Sequence, residues 1–192
     1  INRFNHDSTA IDEIDLHFIH EKGSGENANP LIISHGWPGS VVEFIDFIDL
    51  LAHPERHGGN IEDAFDVVAP SLPGFGFSGR PPRPWGPRRM AQTLNSLMTK
   101  TLGYNSYIAQ GGDWGGAISS FLGFDHAPAC RAIHINILTM RHPGGPQTPA
   151  EVMWERQFKE DQIVEDGYRT QQATKPQTLS YAMMDSPVGV TA

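Results

Sequence analysis

The chain has 192 residues, 39% apolar and 19% charged, enough for one globular domain with a sizeable core and too apolar for a disordered segment. Its formal net charge of −8 argues against nucleic acid or an anionic membrane as a partner. No run approaches the ~18 consecutive apolar residues of a membrane-spanning helix, and the single cysteine, Cys130, excludes an internal disulfide and a thiolate zinc site, so a soluble, cytoplasmic protein is expected.

In chain order, residues 11–20 put Ile14, Leu16 and Phe18 on one side by strict alternation and predict a half-buried strand. A polar, glycine-rich turn follows at 21–30. The apolar run 31–34 then predicts a strand buried on both faces. Apolar positions 41, 44, 45, 48 and 51 recur at helical spacing behind Ser40, a good N-cap. Residues 65–70 read as a strand, 71–87 as a Gly/Pro-rich loop, 88–102 as a helix, 107–110 as a strand, 114–125 as a helix and 132–138 as a strand. Strands alternating with helices predict an α/β fold with a mostly parallel sheet. From about residue 141 a linker leads into a helical segment, 150–192, without a buried strand. The boundary is therefore set between a sheet-based core, 1–140, and a helical insert, 141–192.

The stretch "QGGDWGGA", 110–117, has the strand–turn–helix context of a nucleophile elbow, with Asp113 where many hydrolases carry serine. Gly111, Gly112 and Gly115 permit the tight turn, and the start of a helix favours an anion. Taken alone, Asp113 also fits a plain helix N-cap. The chemistry separates the two roles. Serine attacking a saturated carbon would form an ether, a dead end, whereas a carboxylate forms an alkyl ester that water can cleave at the carboxyl carbon. An aspartate elbow thus points to an epoxide or an alkyl halide.

"SHGWPGS", 34–40, directly follows the 31–34 strand. In hydrolases of this architecture this loop gives one backbone N–H to the oxyanion hole, and the residue after the nucleophile gives the other. Mapped here, these are the N–H groups of Trp37 and Trp114. "HGWPGS", "SLPGFGFSG" and "GGDWGG" together resemble the α/β-hydrolase-fold epoxide hydrolases of the microsomal type, which include juvenile hormone epoxide hydrolases and soluble bacterial relatives. The resemblance extends through residues 165–192. It implies an α/β-hydrolase core whose C-terminal part lies outside this chain, the first part of a helical cap at 141–192, and a remnant of the family's lead-in segment at 1–13. By resemblance Asp113 opens an apolar epoxide, Trp37 and Trp114 hold the oxyanion, and Tyr168 donates a hydrogen bond to the epoxide oxygen. The ring-opened alkoxide needs such an acid.

His35 reads as structural rather than catalytic. With Pro38, His134 and Asn136 it is assigned to the wall of the substrate pocket. "PGFGFSG" lacks the lysine and frame of a phosphate loop, and His53 and His57 flank a proline without acidic companions on a helix, so no metal or cofactor is expected. A haloalkane dehalogenase shares the aspartate elbow but usually has Asn at the position of Trp37, and it leaves Tyr168 without a purpose. A fragment or pseudoenzyme that only binds apolar ligands is the rival of a different class. The relay that hydrolyses the ester needs an acid and a His after the nucleophile. The histidines after Asp113 are His126, His134 and His142, on the next helix, the next strand and the linker. The relay and a second cap tyrosine are expected from a C-terminal half of the same protein. The start at Ile1 is likewise read as lying inside a longer gene product, and a homodimer is left open.

Overall fold

The alternation at 11–20 conceals a turn. In the computed structural model, which describes residues 1–137 and 142–191, the chain starts with a hairpin of β1 (His6–Ile11) and β2 (Ile14–Glu21), with Ile11 opposite Ile14. The two turn residues, Asp12 and Glu13, both have positive φ, 49° and 72°, as a mirror-image hairpin turn requires. Such turns usually announce themselves as Asn-Gly or Asp-Gly, and Asp-Glu does not. The half-buried reading of 11–20 is corrected as well: Leu16, His17, Phe18 and Ile19 are all buried. Leu16 and Phe18 pack on one face of the sheet, and Ile19 packs with Phe4 on the other. The lead-in residues are therefore part of the sheet and its core.

β3 (Asn29–Ser34), β4 (Phe65–Pro70), β5 (Tyr107–Gly111) and β6 (Cys130–Ile135) complete a six-stranded sheet in the order β1-β2-β4-β3-β5-β6. β1, β2 and β4 pair antiparallel, and β4, β3, β5 and β6 run parallel. Within β3, Ile32 joins one core while Leu31 and Ile33 join the other, which is why its sequence is a continuous apolar run. One face is covered by the helical turn Val41–Phe44 and α1 (Ile45–Ala52), which bury Val41, Ile48 and Ala52 against Leu31, Ile33, Val67 and Ala69. The other face carries α2 (Pro87–Ser96) and α3 (Asp113–Asp125), with Leu94, Ile118 and Leu122 fully buried. The helix expected over 88–102 widens at Leu97–Thr101 into a π-helical turn, and both Leu97 and Met98 enter the core.

β6 ends before the strand expected over 132–138. The chain bends at Asn136, whose side-chain amide lies against Gly112, and Leu138 lies outside the described residues. The expected boundary at 141 also lies outside them. The chain divides into two compact units, Ile1–Thr139 and Met140–Ala192. The second holds α4 (Pro149–Glu165), α5 (Gly167–Thr174), α6 (Pro176–Asp185) and α7 (Val188–Thr191). α4 starts on a capping box, with Thr148 and Glu151 each satisfying the other's backbone N–H and Pro149 in the first turn. Among the described residues no helix is long and apolar enough to cross a membrane.

Candidate active site

The carboxyl ends of β3 and β5 lie side by side, with Ser34 paired to Gly111, and each strand runs through a turn into a helix. A β-carbon at Gly115 would overlap the Ser34 carbonyl, and one at Gly111 would overlap the Gly115 backbone. Only glycine at both positions lets α3 start this close to the end of β3. Asp113 occupies the turn itself with φ 49°, a left-handed conformation that costs a non-glycine residue about 1–2 kcal/mol. It is exposed, and its carboxylate does not serve as a cap folded onto its own helix. Oδ1 accepts the N–H of Trp37 at 2.8 Å, joining positions 76 residues apart. Gly36 is in turn so close that a β-carbon there would collide with the Asp113 carboxylate.

The loop that presents the Trp37 N–H is anchored from below by His35, only 1% exposed. The Leu72 N–H donates to His35 Nε2 at 3.1 Å, so the ring's proton sits on Nδ1, which donates to the Gly36 carbonyl at 3.0 Å. Burial pushes the His35 pKa down, against the raising effects of the Gly36 carbonyl and Glu43, as a neutral ring with these two bonds requires. Phe75, from the glycine-rich loop, meets His35 and Trp37 edge-on at ring-centroid distances of 5.4 and 5.9 Å. That loop buttresses the turn.

A cleft of about 650 Å³ opens here, lined by Asp113, Trp37, Pro38, His35 and Asn136. Trp37 and Trp114 are both exposed, at 39% and 44%. His134 is not among the lining residues. It is exposed on β6, in register with Gln110. Tyr168 is the second residue of α5, in the second unit, and is 64% exposed. His126 caps the far end of α3, about 20 Å along the helix from Asp113, and so cannot deliver water to it. His142, in the second unit, accepts the Gly144 N–H on Nδ1 at 3.1 Å. The cleft also gains Glu43, Phe44, Gln110 and Ile137, which sequence reasoning passed over. For Glu43 a signal was present, since Ser40 and Glu43 form an S-x-x-E capping box.

Residues 29–183 match the family model for the alpha/beta hydrolase fold. The chain belongs to the α/β-hydrolase family. Residues 1–44 also match the model "Epoxide hydrolase N terminus". A relative from Stigmatella aurantiaca (strain DW4/3-1) is 41% identical over 196 residues, covering all of this chain and 44% of the relative. Epoxide hydrolase 1 of Sus scrofa is 34% identical, covering all of the chain and 47% of that protein. Among solved structures, juvenile hormone epoxide hydrolase from the silkworm Bombyx mori matches with a TM-score of 0.75 at 29% identity, over 100% of this chain and 49% of that one. Aspergillus niger epoxide hydrolase matches with a TM-score of 0.72 at 34% identity, over 100% and 50%. The chain thus spans about half the length of the curated relatives it matches.

Proposed function

We propose that this chain is the nucleophile-bearing half of an epoxide hydrolase acting on apolar epoxides. The observation that carries the reading is the 2.8 Å bond from the Trp37 N–H to Oδ1 of an exposed, left-handed Asp113 at the edge of a cleft. One carboxylate oxygen is held, and the other is left to attack. Trp37, Pro38, Phe44 and Ile137 give the cleft an apolar wall suited to the carbon frame of such a substrate.

In the first step an Oδ2 electron pair bonds to an epoxide carbon and the ring C–O bond breaks. The departing oxygen takes the proton of Tyr168, leaving a 2-hydroxyalkyl ester on Asp113 and a tyrosinate. In the second step water attacks Cγ and negative charge gathers on Oδ1, where the Trp37 N–H, joined by that of Trp114, stabilises it. Collapse expels the diol together with Oδ2, and the water oxygen stays in the Asp113 carboxylate. The two water protons end on the diol and on the tyrosinate. The base for this step is a His, oriented by an acid, from a C-terminal half of the same protein, which also brings a second tyrosine. Residues 141–192 serve as the first part of the cap.

The test is to supply the full-length protein with aryl and alkyl epoxides and, separately, with haloalkanes. Diol from the epoxides without halide release is expected. Halide release with no diol assigns the elbow to carbon–halogen cleavage instead, and binding without either product leaves only a ligand-binding role.

A further inference from the structure

Glu43 lines the same cleft as Asp113 but makes its hydrogen bond to the chain that leads out of the oxyanion turn. That turn, Gly36–Gly39, is closed by the Gly39 N–H on the Gly36 carbonyl at 2.9 Å. Its upstream end is fixed in the core by His35. Downstream, Glu43 Oε1 accepts the Ser40 N–H at 3.1 Å, while Ser40 Oγ accepts the Val42 N–H at 3.3 Å. The Glu43 carboxylate also lies against Gly39, where a β-carbon would collide with it. Glycine at both ends of the turn gives the intervening Trp37 peptide freedom to swing unless both ends are held. Glu43 is exposed, so little packing is lost when its side chain is shortened.

We propose that Glu43 is a positioning residue for the oxyanion turn: by holding the Ser40 N–H and closing over Gly39, it fixes the Trp37 N–H that faces Asp113 Oδ1. This rests on the two-step reading above, and the two steps respond differently to a loosened turn. During ester formation Oδ1 passes from carboxylate to carbonyl oxygen and loses charge, so the Trp37 bond weakens and does not help that step over its barrier. During ester hydrolysis Oδ1 becomes an oxyanion, the bond strengthens, and its aim decides the rate. Glu43 therefore governs the second step.

The experiment follows the Asp113 ester in the full-length enzyme by rapid quench and peptide mass, in wild type, Glu43→Ala and Glu43→Gln. In Glu43→Ala, ester breakdown is expected to slow by roughly 10–10²-fold, with ester formation within about twofold of wild type, so the ester accumulates. Glu43→Gln keeps an acceptor for the Ser40 N–H and is expected to restore breakdown to within about twofold. Equal breakdown in all three proteins, equal slowing of both steps, or a Gln variant as slow as Ala overturns the proposal; the last result assigns the effect to charge. Should the Ala variant fail to fold, a folded Gln variant with slowed breakdown overturns it in the same way, and one with normal breakdown supports it. A wild-type enzyme that forms no ester overturns the functional reading and this inference together.

Discussion

The two ends of the parallel strands are built on opposite plans. At the amino ends, polar side chains close on one another. Lys22 Nζ reaches Asp66 Oδ2 at 2.8 Å and Tyr104 OH at 2.7 Å, and the Tyr104 hydroxyl donates to Asp66 Oδ2 at 2.8 Å. The Gly23 N–H donates to Asp66 Oδ1 at 2.9 Å, and His20 Nε2 meets Tyr104 OH at 2.9 Å. Beside them, His53 lies between Glu21 at 2.9 Å and Ser24, which donates to Glu55 at 2.8 Å. At the carboxyl ends of β3 and β5 backbone meets backbone through glycine, and the Asp113 carboxylate there is exposed, strained in φ and held by a main-chain N–H. Saturated networks hold a fold together, whereas a strained, half-committed group is available for chemistry. Ligands of open α/β sheets bind at the carboxyl ends of the strands, and this contrast gives a physical reason.

Substitutions at the two ends should therefore fail in different ways. The largest effect is expected from Asp113→Asn, which removes the anionic nucleophile while keeping the shape of the turn. Diol production should vanish with the melting temperature unchanged, and full turnover by an undeamidated variant would break the comparison. Next comes Asp66→Asn at the amino end, which leaves Lys22 and Tyr104 without their anion. It should lose about 1–3 kcal/mol in denaturant unfolding, with kcat unchanged where the protein is folded. A kcat loss without a stability loss would reverse the roles of the two ends.

Acid should act through stability at both ends. Burial lowers the pKa of His17, His20 and His35, aided at His17 by His6 and at His20 by Lys22. Below the ordinary value of 6.5 the unfolded chain takes up protons that the folded one refuses, so stability falls as the pH drops from there. Burial by itself would raise Asp66, but its bonds to Lys22, the Gly23 N–H and Tyr104 outweigh it and hold the carboxyl below the usual range. Its contribution is present above the ordinary carboxylate value and is lost as the pH falls on through the folded one. Melting curves should show a first decline just below pH 6.5, reduced in His35→Asn, and a second in the carboxylate range. A flat profile between pH 7 and 5 would contradict the neutral-histidine assignment. The smallest effect concerns Cys130, whose thiol burial pushes up to about 11. It should resist alkylation at pH 8 until the protein unfolds, and rapid labelling of the native state would show β6 to open at its amino end.

The runs at 31–34 and 65–70 were legible because a strand buried on both faces does not alternate, and the strand–turn–helix at Asp113 was legible because its glycines and its acid are neighbours in sequence. The Asp12–Glu13 turn was not, since left-handed conformations at two acidic residues carry no glycine signal. Glu43 and Gln110 were passed over because their places in the cleft depend on where the Gly36–Gly39 turn and β5 come to lie, which no local spacing encodes. His35 was read as structural, but its partner Leu72 lies 37 residues on and only folding reveals it.

In the proposed reaction the Asp113 carboxylate bonds to substrate carbon while its other oxygen is held by the Trp37 N–H. A single turnover of full-length enzyme in excess over epoxide, run in ¹⁸O-labelled water, tests it most directly. Unlabelled diol and one heavy oxygen in the peptide that carries Asp113 are expected. Labelled diol with an unlabelled Asp113 peptide would mean that water attacks the epoxide itself, and would contradict it.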